Sequence, residues 1–154
     1  MNAGKYFRNA ETIIVFICII GLTFLLFDIP SGPMVVMIGL LTLSFFYMAL
    51  GGVIMGEQYQ ISPVPIDTGL TFLARVISII CGLSLAIGIV GILFRLMHFP
   101  GWEPQLIAGM VGSGVGLIGS FVVIRPQEPK LHQYLFYRIV MVLGIGVVIS
   151  RVAI

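Results

Sequence analysis

The chain has 154 residues, of which 59% are hydrophobic and only 9% are charged, and its net charge at pH 7 is +2. A soluble domain typically carries about 25% charged residues, so this chain has too few charges to cover a surface that faces water. The composition therefore excludes a soluble protein and leaves no room for a separate soluble catalytic domain. The few basic residues are scattered, which argues against a nucleic-acid surface.

Five apolar runs follow one another along the chain, separated by short polar or proline-containing segments. Each of the first four is long enough to cross a hydrocarbon core of about 30 Å as a helix. The fifth run holds Arg138 and Arg151, whose side chains would have to snorkel outward if it spans; the alternative is a helix lying on the membrane. The predicted spans are residues 12–29, 34–55, 70–94, 106–124 and 134–154. We therefore predict an all-α polytopic transmembrane helical bundle of five helices in a single domain, 1–154.

The distribution of lysine and arginine predicts the orientation of the bundle. With the N-terminus inside, six basic residues fall on the inner side and two, Arg95 and Arg151, on the outer side. An excess of basic residues on the cytoplasmic side is the usual arrangement. We therefore predict an N-in, C-out topology, with the turn after the third run facing outward. The six inner residues are Lys5, Arg8, Arg75, Arg125, Lys130 and Arg138.

Small residues recur at helical spacing along the fourth run. Steps of three and four residues return to the same face of a helix, and small residues on one face let two helix backbones approach closely in lipid. The stripe predicts helix packing, either within this chain or against another subunit. Its members are Gly109, Gly112, Ser113, Gly116, Gly119 and Ser120.

The turn between the third and fourth runs combines charged and aromatic residues at the predicted outer edge. Arg95 and His98 lie three residues apart and share a face if the helix continues that far, and Trp102 is typical of the headgroup level. Together with Pro100 and Gly101, these residues form the motif that we interpret as an outer-edge interface anchor. The alternative is an ion-coupling hairpin.

The sequence shows no arrangement that indicates catalysis, a cofactor or a metal. His98 and His132 are predicted on opposite membrane faces, so they cannot share a haem or metal in one chain. The membrane serines have no His or Asp partner at a compatible depth, as nucleophilic catalysis requires. Apart from Asp28 at the end of the first, none of the first four predicted spans contains a carboxylate, the kind of group that ion channels and motors keep at membrane depth. No internal repeat, a feature of many transporters, is evident.

One segment carries a family resemblance. Gly91-Ile92-Leu93-Phe94-Arg95-Leu96-Met97-His98-Phe99-Pro100-Gly101, followed by Leu106-Ile107-Ala108-Gly109, matches the pattern G-x-L-F-K-x-M-H-x-P-G and a following L-x-x-G. This region, about residues 87–119, resembles the transmembrane hairpin of GldL, the inner-membrane component of the motor for gliding and type 9 secretion. The resemblance implies a helical hairpin in a bacterial inner (cytoplasmic) membrane.

The departures from that family concern its motor chemistry. The family's lysine is replaced by Arg95, and Ser113 stands where the family has a membrane glutamate. The long cytoplasmic tail of the family is not present in this sequence, and two further predicted helices precede the hairpin. The resemblance therefore implies the hairpin fold without proton-driven motor function.

These observations favour a non-enzymatic membrane protein without cofactors, whose partners are the lipid bilayer and other transmembrane subunits or copies of itself. Our principal hypothesis is a small subunit that packs against other transmembrane proteins in an inner-membrane complex. An ion-conducting or motor-type component is the first alternative, and a small transporter or lipid-handling protein is the second.

Overall fold

The chain folds into five α-helices, with no strand among the residues that the structure describes. A computed structural model describes the backbone of residues 3–58, 68–124 and 129–151, and most side chains within 9–49, 72–124 and 133–151. A π-helical turn, Ser120–Ile124, extends the fourth helix. The predicted all-α fold is confirmed. The helices are α1 (Ala3–Leu26), α2 (Gly32–Gln58), α3 (Thr68–Leu96), α4 (Trp102–Gly119) and α5 (Pro129–Arg151).

Four helices are long and apolar enough to cross a membrane, with spans at Asn9–Leu26, Gly32–Ala49, Phe72–Leu96 and Trp102–Ile124. In α5 the apolar stretch, Leu135–Val148, is shorter and contains Arg138, although the 23 residues of the helix extend about 34 Å at 1.5 Å per residue. The first apolar stretch begins at Asn9, ahead of the predicted start at Thr12, and so contains the carboxylate of Glu11.

Consecutive helices pack against each other in chain order, α1 on α2, α2 on α3 and α3 on α4, while α5 packs on α3 and α4. Within the described ranges, the backbones of α1 and α5 do not pack against each other. The buried Ser44 hydroxyl donates a 3.1 Å hydrogen bond to the Ala86 carbonyl and so joins α2 to α3. Both hairpin turns, α1–α2 and α3–α4, therefore lie at the same end of the bundle.

Glycines set the close approach of α3 and α4. A Cβ atom on Gly91 would lie 2.7 Å from the backbone nitrogen of Leu106, and Gly109 faces Gly88 at a distance that leaves no room for a side chain. Lipid tails are as apolar as the side chains, so helix association in a membrane depends on such close packing more than on the hydrophobic effect. The glycine contacts thus determine how α3 and α4 align.

The two hairpin turns end their first helices with the same backbone geometry. Asp28 and His98 adopt positive φ angles of 52° and 55°, and Asp and His are among the residues enriched in this region. The residue that follows each of them donates its backbone N–H to a carbonyl in the last turn of the helix. Ile29 donates to the Phe24 carbonyl at 3.0 Å, and Phe99 donates to the Phe94 carbonyl at 2.8 Å. Each turn is a Schellman-type helix end formed without glycine at the left-handed position.

A shift of 70 residues superposes the first hairpin on the second. The helix ends, the positive-φ residues Asp28 and His98 and the three hydrogen bonds that end α1 and α3 correspond at this shift, whereas Gly101 has a positive φ and Ser31 does not. The close approach corresponds as well. A Cβ atom on Gly21 would lie 2.8 Å from the backbone nitrogen of Val36, and one on Gly91 would lie 2.7 Å from the backbone nitrogen of Leu106. Only six of the 21 positions in 19–39 and 89–109 are identical.

The two hairpins therefore share one helix-end geometry, although no repeat is evident in the sequence. Most positions of a lipid-facing helix accept any apolar residue, so two hairpins can keep one backbone arrangement while their sequences diverge. The residues that remain identical include Gly21/Gly91, Pro30/Pro100 and Gly39/Gly109, at the close approaches and the turn.

Substituting Gly109 by alanine tests the glycine packing. We expect Gly109→Ala to destabilise the bundle by about 1–3 kcal/mol, the usual cost of overpacking, because its Cβ would meet the backbone of Gly88. Gly114→Ala on the same helix is the control, since nothing lies within 4 Å of its Cβ. Thermal unfolding in detergent measures both, and equal midpoints for the two variants would contradict the assignment.

Candidate functional site

The small-residue stripe of α4 packs within this chain. Built Cβ atoms on Gly109, Gly112, Gly116 and Gly119 would meet Gly88, Ser84, Cys81 and Ile77 of α3, respectively. Ser113 and Ser120 are buried with 1% and 0% of their surface exposed. Of the two uses predicted for this stripe, the structure shows packing against α3. This leaves no glycine of that face for a partner subunit.

The predicted outer-edge residues come together at the tip of the second hairpin. The guanidinium of Arg95 lies 4.5 Å from the centre of the Trp102 ring, a distance at which cation and ring attract each other. His98 and Pro100 are exposed in the turn, and Gly101 has a φ of 84° before α4 begins. These residues line an open cleft of about 450 Å³.

A second polar site, absent from the sequence-based predictions, joins α1, α2 and α5. Glu11 accepts hydrogen bonds on Oε1 from Nε of Arg138 at 2.7 Å and from the hydroxyl of Tyr47 at 2.9 Å. The Nη2 of Arg138 donates to Oε2 of the same carboxylate. The guanidinium also lies 6.0 Å from the centre of the Tyr47 ring. We call these three residues the α1–α5 seam, because they bridge two helices whose described backbones do not pack together.

The seam lies far along α1 and α2 from the hairpin turn that joins them. Glu11 is 15 residues from the end of α1 at Leu26, and Tyr47 is 15 residues from the start of α2 at Gly32, about 22 Å along each helix at 1.5 Å per residue. A hydrocarbon core is about 30 Å thick. If the hairpin ends mark one boundary, the seam lies about 8 Å inside the other.

The side chain of Arg138, for which we expected outward snorkelling if the fifth run spans, forms an ion pair with Glu11. Its side chain turns inward to Glu11, because a bidentate carboxylate at this depth stabilises the guanidinium better than an extended reach through hydrocarbon. The ion pair is not fully enclosed, since 21% of the Arg138 side chain and 15% of the Glu11 side chain remain exposed.

A sequence signal for the seam existed in part. Glu11 stands directly before the first apolar run and Arg138 inside the last, so charges of opposite sign occur near the predicted inner ends of two helices. The pairing itself depends on residues 127 positions apart, and no local pattern indicates which helices are neighbours.

Metal binding has no support in the described part of the chain, where no group of three or more His, Cys, Asp or Glu side chains is placed to hold an ion. The side chain of His132 lies outside the described residues. Comparison with family models, curated proteins and solved structures found no match to this chain. The resemblance to the GldL hairpin therefore stays a prediction.

A double-mutant cycle on Glu11 and Arg138 tests the seam. Removing one partner leaves a charge without its counterion at membrane depth, so we expect Glu11→Ala or Arg138→Ala to cost about 3–5 kcal/mol. The double variant should cost less than the sum of the two. Tyr47→Phe should cost about 1 kcal/mol, the net value of one hydrogen bond.

SDS titration in mixed micelles measures the free energies of unfolding in that cycle. Arg151→Ala is the matched control, because this exposed arginine ends the same helix and its substitution should change stability by less than about 0.5 kcal/mol. Strictly additive effects of Glu11→Ala and Arg138→Ala would show that the pair contributes nothing.

Proposed function

We propose that this chain is a small non-catalytic integral membrane subunit that packs against another transmembrane protein, with the α1–α5 seam inside the contact. The observation that carries the proposal is an ion pair at membrane depth that its own chain covers only in part. Ionisable groups in spans are costly and usually face a bundle interior or a water-filled cavity. A transmembrane helix of a partner, seated between α1 and α5, would complete the cover.

The arrangement of α1 supports the same proposal. Only 11% of its membrane span is buried, against 61% for that of α3, and in the described residues its backbone packs on α2 alone. Large apolar side chains such as Phe16 and Ile13, each 61% exposed, leave a broad surface for lipid or a partner helix. The Lys/Arg asymmetry and the GldL-like hairpin support a bacterial cytoplasmic membrane as the setting, with the N-terminus inside.

Affinity purification of three forms of the chain in mild detergent tests the proposal. The forms are the wild type, Glu11→Leu combined with Arg138→Met, and the control Arg151→Leu. Replacing both ions of a pair by apolar residues of similar size is often neutral for folding, so the double variant should fold. We expect a transmembrane partner to be retained by the wild type and the control and lost from the double variant, as quantified by mass spectrometry.

Two results would contradict this assignment. One is a wild-type chain that elutes alone with the mass of a single copy. The other is a partner retained equally by all three forms, which would place the contact elsewhere on the bundle.

A second candidate function, proton conduction, is favoured by the same site. Glu11 is a carboxylate inside the first span, and a membrane motor or channel needs an ionisable group at such a depth. Its carboxylate is hydrogen-bonded to Arg138, so conduction would require the pair to open. This candidate depends on Glu11, whereas the sequence pointed to Arg95 and His98.

Proton flux into liposomes containing the purified chain tests this candidate. If the chain conducts alone, Glu11→Gln should lower the flux roughly tenfold, because an amide side chain does not take up and release a proton as a carboxylate does. The control Arg151→Leu should leave the flux unchanged. Flux equal to that of empty liposomes would end this candidate and leave the subunit proposal intact.

A further inference from the structure

The cleft at the tip of the second hairpin contains charges that the turn itself does not need. The first hairpin ends its helix with the same left-handed residue and the same three backbone hydrogen bonds, yet Leu25, Asp28 and Gly32 occupy the positions of Arg95, His98 and Trp102. Since that helix end forms without them, it does not require Arg95, His98 or Trp102. Their presence on one hairpin only indicates a separate role.

Two opposite charges in this cleft lack an ionic partner in the described residues. No carboxylate there lies within 4.0 Å of the Arg95 guanidinium, and no basic group lies within 4.0 Å of the Glu103 carboxylate. Both residues nevertheless line the same cleft. Trp102 holds the guanidinium in position at 4.5 Å from its ring, so that the cation is oriented without being neutralised.

The position of the cleft matches the lipid headgroups. It joins the ends of two apolar spans, Phe72–Leu96 and Trp102–Ile124, and so lies at the boundary of the hydrocarbon core. Tryptophan at this level is typical of membrane interfaces. A phospholipid in this leaflet would bring its phosphate to the height of Arg95 while its acyl chains follow the exposed apolar faces of α3 and α4.

We infer that the cleft binds the headgroup of an ethanolamine phospholipid. Arg95 donates hydrogen bonds to the phosphodiester, for which its planar guanidinium is well suited, and His98 supplies a further donor. The carboxylate of Glu103 accepts from the primary ammonium. A glycerol headgroup lacks that ammonium, and a choline headgroup has no N–H to donate. This inference rests on the second hairpin alone and is independent of the α1–α5 seam.

Native mass spectrometry of the chain in nanodiscs of defined composition tests the inference. The probes are phosphatidylethanolamine, phosphatidylglycerol and phosphatidylcholine, and the variants are Arg95→Leu, Glu103→Gln and Arg151→Leu. Arg95→Leu introduces the residue of the first hairpin and should preserve the turn. We expect it to lower retention of phosphatidylethanolamine roughly tenfold, because a hydrogen bond to a charged group is lost.

The other two variants distinguish the effect of the charges in the cleft from the effect of a charge elsewhere on the chain. Glu103→Gln should abolish the preference for phosphatidylethanolamine over phosphatidylglycerol while phosphate binding persists. Arg151→Leu removes an exposed arginine at the same end of the bundle and should change nothing. Equal retention by the wild type and Arg95→Leu, or an equal loss with Arg151→Leu, would overturn the inference. So would displacement of the bound lipid by soluble phosphoethanolamine at low concentration, which would assign the cleft to a solute.

Discussion

Close backbone contact at glycine is the constraint on which the rest of this bundle depends. In lipid, an apolar helix gains little by exchanging acyl chains for another apolar helix, so association relies on the density of packing. At Gly91 and Gly109 the neighbouring backbone occupies the space of a side chain. These contacts align α3 with α4, and a corresponding backbone contact at Gly21, with Gly39 against the side chain of Cys18, aligns α1 with α2.

Polar groups in the bundle follow from that alignment. With the hairpins side by side, Tyr47 of α2 lies at the depth of Glu11, and α5, packed on α3 and α4, brings Arg138 within reach of both. The carboxylate therefore has its hydrogen bonds within the chain, as a medium without water demands. The hydroxyls of Thr23 and Thr42 also find their hydrogen bonds within the chain, because each donates to a backbone carbonyl one helical turn earlier.

The two ends of the bundle differ in the polar side chains that they carry. At the hairpin tips the two helix ends share one backbone geometry but carry different side chains, Leu25 and Asp28 on the first and Arg95 and His98 on the second. Toward the opposite end, the arginine of α5 pairs with the first hairpin. The bundle thus carries two distinct polar sites, one at the tip of the second hairpin and one between α1, α2 and α5.

The sequence by itself determined the apolar character of this protein, its all-helical class, four helices long and apolar enough to span a membrane, and the polar residues at the tip of the second hairpin. Hydropathy and turn residues are local properties, so the sequence alone reveals them. It also identified the α4 stripe as a packing face without showing what it contacts. Only the tertiary structure decided that the stripe meets α3, that the chain contains a repeated hairpin, and that Glu11 pairs with Arg138. Each of these features depends on which helices are neighbours. Glycine contacts between segments far apart in the chain determine the neighbours, and such contacts produce no periodic pattern in the sequence.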